Sequence, residues 1–122
     1  MDGRNWTLVF AIFSVFSVAV PARAAGHVMT VSELQHLCTA SDEGSKSVCE
    51  FYILGIAQGA ALAANLAGDK THFCLPDDTS ALTIEFAVKK AIGEDLMFFP
   101  KDQDLPAVSF VAAAVQKAFP CR

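Results

Sequence analysis

Residues 49–68 read CEFYILGIAQGAALAANLAG, with no charge and no proline from 51 to 67. This composition predicts one long buried helix rather than a strand or a loop. Ser47 with Glu50 three residues later matches the capping-box pattern, in which each side chain satisfies a free backbone amide at the helix start. Gly68 suits the position just past the end, where a left-handed backbone closes a helix. We therefore predict a central helix over residues 47–67.

Apolar residues surround this helix on nearly all sides, so we expect neighbours to cover several of its faces. Gly55, Gly59 and Ala63 recur at a spacing of four and lie on one face, which predicts close approach of another helix there. A transmembrane helix is the alternative. About 17 uncharged residues is the lower limit for crossing a bilayer, and the alanine-rich composition favours a core helix.

The N-terminal end resembles an export signal. Arg4 precedes an uncharged run of 15 residues, Trp6 to Val20, and Ala22 and Ala24 supply the small-x-small pattern of signal peptidase. We predict cleavage after Ala24, a signal peptide over 1–24, a single domain over 25–122 and a periplasmic location. An uncleaved anchor is the alternative, because Arg23 is a flanking charge.

The chain after residue 24 is acidic. It holds seven basic and twelve acidic residues, a formal charge of about −5. Nucleic acid is therefore an unfavourable partner. The charge favours a basic protein partner, although a modest negative charge also serves solubility.

All four cysteines lie in this part of the chain, and an even number in a small exported domain predicts two disulfides. Three pairings exist for four cysteines. Cys38 should end one helix and Cys49 begin the next, so an antiparallel hairpin would bring them together. That leaves Cys74 to pair with Cys121.

Three further helices complete an all-α bundle of four helices. Thr30 with Glu33 predicts the start of a short first helix, and the polar segment 39–46 predicts a chain reversal. The third helix is predicted to run to Ile92 and stop at Gly93. Asp77, Asp78 and Thr79 are predicted to cap the start of this third helix. Asp104 is predicted to cap the fourth helix, with Pro106 in its first turn.

No pattern in the chain indicates catalysis, a cofactor or a metal. His36 and Cys38 face different ways on a predicted helix, and no C-x-x-C or H-x-x-x-H spacing occurs. Disulfide formation would consume the nucleophile of a Cys-His pair. The acids of residues 94–104 offer a paired-carboxylate site, but solvated charge is the favoured interpretation. We expect a binding or structural protein and no enzyme.

Three motifs together resemble the Rap/Tai immunity proteins of type VI secretion, from about Thr30 to Cys121. The motifs are Cys49-x-x-Tyr52-x-x-Gly55-x-x-x-Gly59, then Cys74-Leu-Pro76, then Ala118-Phe119-Pro120-Cys121. The resemblance implies a small exported helical protein, often a homodimer, that binds and blocks a peptidoglycan amidase effector. It implies structural roles for Tyr52, Gly55, Gly59, Pro76, Phe119 and Pro120. Family members commonly carry Leu-x-x-His-Pro where this chain has Leu96-Met-Phe-Phe-Pro100, so the histidine is absent.

Two segments have the composition of an inhibitory loop. One is Asp69 to Asp78, held at Cys74. The other is Glu94 to Asp104, in which two aromatic residues would anchor and four acids would steer association: Phe98, Phe99, Glu94, Asp95, Asp102 and Asp104. The alternative is that both phenylalanines close the core. A small periplasmic structural or stress-related binding protein without a toxin partner is the alternative function.

Overall fold

Four helices form the fold in a computed structural model that describes residues 26–122. They are α1 (Val31–Thr39), α2 (Glu43–Leu66), α3 (Ala81–Phe98) and α4 (Ala107–Ala118). A short 3-10 helix, η1 (Pro100–Asp104), joins α3 to α4. The all-α prediction is confirmed. The predicted signal peptide and its cleavage site lie outside the described residues.

The core lies where α2 packs against the other three helices. Within residues 26–122 every fully buried side chain is apolar. The largest of them come from all four helices: Leu34, Ile53, Ile92, Val31, Val88, Val111, Val115 and Cys49. On α3 the buried residues are Ile84, Val88 and Ile92, whose spacing of four places them on one face of the helix.

Both predicted disulfides are confirmed. Cys38 and Cys49 join the end of α1 to α2 with their Cα atoms 5.1 Å apart. Cys74 and Cys121 join the segment before α3 to the C-terminus at 5.0 Å. The first bridge is buried and holds the end of α1 against α2, and the second holds the C-terminus to the segment before α3.

The helix starts are partly as predicted. Thr30 and Glu33 form the predicted reciprocal capping box at α1. The prediction that Ser47 caps α2 was wrong. The N-cap is Asp42, whose carboxylate accepts from the Ser45 amide at 2.7 Å, and the helix begins at Glu43, about one turn earlier. A carboxylate at the N-cap also interacts favourably with the helix dipole. Gly68 follows α2 at φ +68°, as predicted.

The bounds of α3 differ from those predicted. Ser80 is its N-cap and accepts from the Thr83 amide at 3.1 Å, so the predicted caps Asp77, Asp78 and Thr79 precede the helix without capping it. Gly93 does not stop α3, which continues to Phe98. Residues of high helix propensity follow the glycine. Lys90 Nζ also lies 3.7 Å from Glu94 Oε1, an ion pair between the turns before and after Gly93.

Asp104 does not cap α4. It is the last residue of η1, and Pro106 occupies the N-cap position without a side-chain hydrogen bond. The backbone amides at this junction instead bond to the start of the domain: Val31 N donates to Leu105 O at 3.0 Å and Ala107 N to Met29 O at 2.8 Å. These two bonds make a single antiparallel bridge that fastens η1 beside the start of α1.

The largest difference concerns α2. Only Cys49, Ile53 and Ala57 of its 24 residues are fully buried, so α1, α3 and α4 cover one side of the helix rather than several. Gly55 and Gly59 are exposed, and a Cβ built on either meets no atom within 4 Å. The predicted close packing on these glycines is therefore absent within the described chain.

Candidate functional site

An exposed aromatic cluster lies where α3 ends and η1 begins, and we name residues 94–105 the α3–η1 corner. Phe98 is 73 % exposed, Phe99 is 60 % exposed and Met97 is 75 % exposed. The interpretation that both phenylalanines close the core is therefore wrong. Exposed aromatic and methionine side chains are enriched at the anchor positions of protein interfaces.

The backbone holds this cluster in a defined geometry. Phe99 N donates to Asp95 O at 2.7 Å at the end of α3, and Asp102 N donates to Phe99 O at 2.9 Å within η1. Leu105 is tied to Val31 by the backbone bridge described above. The corner is thus a hydrogen-bonded turn fixed to two helices, so little conformational entropy remains to be lost when a partner binds.

The four predicted acids of the corner do not form one surface. Glu94 and Asp104 are exposed, and Glu94 pairs with Lys90. Asp102 is half-buried. Asp95 faces inward, and its Oδ2 atom is buried with no hydrogen-bond partner among the described residues. Of the four acids, only Glu94 and Asp104 are exposed enough to steer the approach of a partner.

Asp95 is electrostatically unusual. Desolvation raises the pKa of its carboxyl group, the nearby Asp102 carboxylate raises it further, and Lys117 opposes these effects. Two carboxylates in proximity resist ionising together. A proton held between the two carboxyl groups would let them hydrogen-bond to each other and would join η1 to α3.

The other predicted segment, Asp69 to Asp78, is also ordered by specific contacts. The Asp69 carboxylate accepts from Thr71 N at 2.8 Å, from Thr71 Oγ1 at 2.9 Å and from His72 N at 3.2 Å. These hydrogen bonds, led by the one from the Thr71 amide, lower the pKa of Asp69 to about 2. The Gln116 side chain donates to the His72 carbonyl, and Cys74 is bridged to Cys121.

A shallow alanine-lined groove of about 550 Å³ lies beside this segment, between the second half of α2 and α4. This groove was not predicted from the sequence. Alanines at 60, 63, 64 and 67 line one wall and those at 112 and 113 the other, while His72 and Phe73 lie at its margin. Small residues at a spacing of three and four, the alanines on α2 and Ser109, Ala112 and Ala113 on α4, are the signal that would have indicated a gap between the two helices.

The two predicted segments lie at opposite ends of α4. η1 leads into its first residue, Ala107, whereas His72 contacts Gln116 near its end. The helix has 12 residues, which corresponds to about 18 Å. One compact contact centred on either segment would not include the other, so the structure separates them into two candidate surfaces.

The residues predicted to be structural have mixed positions. Tyr52 and Phe119 are half-buried and pack against the core, and desolvation raises the pKa of the Tyr52 hydroxyl. Pro76 and Pro120 are exposed and line a shallow pocket around the Cys74–Cys121 bridge. Their proximity to the bridge fits a role in shaping the two chain segments that the disulfide joins.

No group of three or more histidine, cysteine or acidic side chains is arranged to hold a metal ion within residues 26–122. In that same range one helix, Glu43–Leu66, is long and apolar enough to cross a membrane by length and composition, with a mean hydropathy of 1.4 over its best window. This helix contacts α1, α3 and α4, and about a fifth of its apolar window is buried.

The family model described as Rap1a immunity proteins matches residues 30–121. The match begins at the N-cap of α1 and ends at the last cysteine, so it includes all four helices and both bridges. Searches of the curated proteins and of the solved structures find no match.

Proposed function

Because the chain belongs to the Rap1a immunity protein family, we propose that it protects the cell by binding and inhibiting a peptidoglycan amidase effector of type VI secretion. Immunity proteins act by binding a toxin partner, and the family membership supports that general role. The amidase target follows from the family resemblance of the sequence. The mode of action is binding without catalysis.

The observation that carries the proposal is the exposed aromatic cluster of the α3–η1 corner. Phe98 and Phe99 project from a turn whose backbone is fixed, and two exposed acids, Glu94 and Asp104, flank them. An amidase groove lined by a catalytic histidine and basic residues would accept such a surface. The phenylalanines would exclude water from the groove while the acids orient the approach.

The proposed location is the periplasm. Two disulfides are stable in an oxidising compartment and rare in the cytosol, which supports export of the chain. We propose that residues 1–24 direct this export and are then removed, which leaves a soluble domain that does not stay in the membrane. Mass spectrometry of the protein purified from the periplasm tests the cleavage site after Ala24.

Protection from lysis tests the function. Candidate amidase effectors from the same genome are expressed in the periplasm with and without this protein, and survival is scored. We expect rescue by the wild-type chain and loss of rescue when Phe98→Ala and Phe99→Ala are combined. Truncation of a central interface aromatic typically weakens binding by 2 kcal/mol or more, about thirtyfold.

Phe86→Ala is the matched control. Phe86 lies on the same helix and is 70 % exposed, close to the exposure of Phe98, but it is outside the corner. This variant should protect as well as the wild type. Equal loss of protection by Phe86→Ala would contradict a contact centred on the corner, and the absence of binding to every amidase tested would refute the amidase proposal.

A further inference from the structure

Cleavage after Ala24 makes a histidine the third residue of the mature chain. The new N-terminus then reads Ala25-Gly26-His27. Four nitrogen atoms lie within these residues: the α-amine of the first, the amides of the second and third, and Nδ1 of the histidine ring. Their covalent connectivity lets them close fused chelate rings around one metal ion. The site depends on the cleavage that is proposed above and not on the amidase target.

The ring of His27 is oriented by Glu33. His27 Nε2 lies 2.7 Å from Glu33 Oε1 and 2.9 Å from Glu33 Oε2. Because an ionised carboxylate only accepts hydrogen bonds, Nε2 of the neutral ring carries the hydrogen and Nδ1 keeps a free lone pair. Nδ1 is also the ring nitrogen nearer to the main chain, so it is the one that can chelate together with the amide of the same residue. The contact with Glu33 therefore selects the tautomer that a chelate needs.

Glu33 is itself fixed at the start of α1. Its Oε2 atom accepts from the Thr30 amide at 2.8 Å and from the Thr30 hydroxyl at 3.1 Å. A histidine that binds a metal commonly donates its other ring nitrogen to a carboxylate, which fixes the ring and increases its basicity. The pair of His27 and Glu33 has the arrangement of such an outer-shell contact.

The main chain of the same segment is accessible. Gly26 and His27 are both exposed, and neither of their amides donates a hydrogen bond to another residue of the described chain. A Cβ built on Gly26 meets no atom within 4 Å. The first backbone hydrogen bond to α4 is made by Met29, so the residues before it can wrap around an ion without disturbing the bundle.

We propose that the mature chain binds one Cu(II) ion through the four nitrogens of Ala25, Gly26 and His27, and that Glu33 positions the histidine ring. Nitrogen ligands in a square plane are typical of Cu(II) and Ni(II), and Cu(II) binds more tightly in this series. Zinc prefers a tetrahedron, which a chelate of consecutive residues does not supply. The amine and the two amides release their protons to the solvent when they bind.

The cysteines of the chain favour copper in its oxidised state. All four are joined in disulfides, so no thiolate reduces Cu(II) or competes for it. Three of the four proposed ligands belong to the main chain, so the site is not a group of histidine, cysteine and acidic side chains. Its signal in the sequence is the position of His27 relative to the cleavage site.

Copper titration of the protein purified from the periplasm tests the proposal. The full chain is expressed, and its intact mass after purification should correspond to a start at Ala25. Titration with copper(II) chloride should show one ion per chain, retained against excess glycine and excess Zn(II), with the visible and electron paramagnetic resonance spectra of four equatorial nitrogens. A different N-terminus, or spectra of fewer nitrogens, would refute the proposal. No effector takes part, so the result is independent of the protection assay.

Gly26→Pro removes one of the proposed ligands, because proline has no backbone N–H. The spectra of four nitrogens should be lost, whereas the matched control Gly26→Ala keeps the amide and should bind copper as the wild type does. His27→Ala should also lose the site, and His36→Ala, a change of an exposed histidine on α1, should not. The intact mass of each variant checks its N-terminus. Identical spectra for Gly26→Pro and Gly26→Ala would contradict coordination by the amide.

Glu33→Ala should weaken Cu(II) binding about 10-fold or more, the usual effect of losing an outer-shell partner. Glu33→Gln keeps an oxygen that accepts from His27 Nε2 and should recover most of the affinity. Thr30→Ala is the matched control, because it removes the hydroxyl of the same capping box but leaves the carboxylate in place. Unchanged affinity in Glu33→Ala, or an equal loss in Thr30→Ala, would show that Glu33 does not position the ring.

Discussion

The carboxyl group of Asp95 lies in a place where the fold favours its protonated form. Its pKa is raised above the ordinary 3.8, chiefly by desolvation and then by Asp102. A group whose pKa is higher in the folded protein destabilises the fold when it ionises. The free energy of unfolding therefore falls as the pH rises through the folded pKa of Asp95. Once it is ionised, Asp95 opposes the docking of η1 on α3.

Asp95→Asn should therefore raise the urea midpoint at neutral pH. The amide stays neutral at every pH and can donate to Asp102. The difference from wild type should shrink as the pH falls to the ordinary aspartate pKa, because wild-type Asp95 is then protonated as well. Asp104→Asn, at an exposed position, is the control; a lower midpoint for Asp95→Asn at neutral pH would contradict this account.

Asp69 shows the opposite behaviour. Its pKa of about 2 is lowered by hydrogen bonds from Thr71 and His72, so its contribution is present above the ordinary pKa of 3.8 and is lost as the pH falls toward 2. Asp69→Ala should increase the hydrogen-exchange rates of the Thr71 and His72 amides at pH 5. Asp77→Ala, an exposed acid in the same segment, should not; unchanged exchange in Asp69→Ala would show that the turn is held by other contacts.

At the level of the helices, two glycines should respond in opposite ways to the same substitution. Gly93 lies within α3 with open space around it and an ordinary helical backbone, whereas Gly68 ends α2 at φ +68°. Gly93→Ala should stabilise the fold by about 1 kcal/mol through helix propensity. Gly68→Ala should destabilise it by about 1 kcal/mol, because a side chain disfavours the left-handed region.

Thermal unfolding followed by circular dichroism checks both changes. A change of 1 kcal/mol moves the Tm of a domain of this size by about 4–8 °C. The two variants should therefore lie on opposite sides of the wild type. A Tm for Gly93→Ala below that of wild type would mean that α3 is packed by a partner at this glycine.

The helices also show which features a sequence can predict. The capping box of Thr30 was predictable because both of its side chains bond to backbone within three residues. The start of α2 was not, because Asp42 and Ser47 each begin a valid capping pattern and the helix begins at the earlier one. Gly93 misled the prediction because its local preference is outweighed by the helix formers on both sides.

The candidate site was harder to predict than the fold for a different reason. Phe98 and Phe99 have the same hydrophobicity whether they close a core or face a partner, and only the path of α3 past Gly93 turns them outward. The apolar surround of α2 predicted cover on several faces, but the other helices bury only the side that carries Cys49, Ile53 and Ala57. Asp95 and Asp102 are seven residues apart, and their proximity depends on η1 turning back toward α3.

At the scale of the whole molecule, the disulfides supply much of the stability expected of so small a domain. Chain-entropy arguments give about 3 kcal/mol for the 11-residue separation of Cys38 and Cys49 and about 4 kcal/mol for the 47-residue separation of Cys74 and Cys121. Together they are comparable to the total of about 5–15 kcal/mol for a typical domain.

Removal of both bridges should leave the domain largely unfolded at 37 °C, while Cys74→Ala with Cys121→Ala should lower the unfolding free energy by about 4 kcal/mol. Urea denaturation of the purified variants measures both effects. An unchanged cooperative unfolding transition in a reducing agent would contradict the importance of the bridges. Ser41→Ala, a substitution at an exposed position between α1 and α2, is the control for nonspecific effects.

The order of the paired cysteines along the chain has a consequence for how the protein matures. Each cysteine bonds to the next one in sequence: the first to the second, and the third to the fourth. When a chain crosses a membrane from its N-terminus, an oxidase that joins thiols in their order of emergence makes only native bonds. The correct connectivity is then reached without reshuffling, so the yield of folded protein should depend on the oxidase and not on a disulfide isomerase.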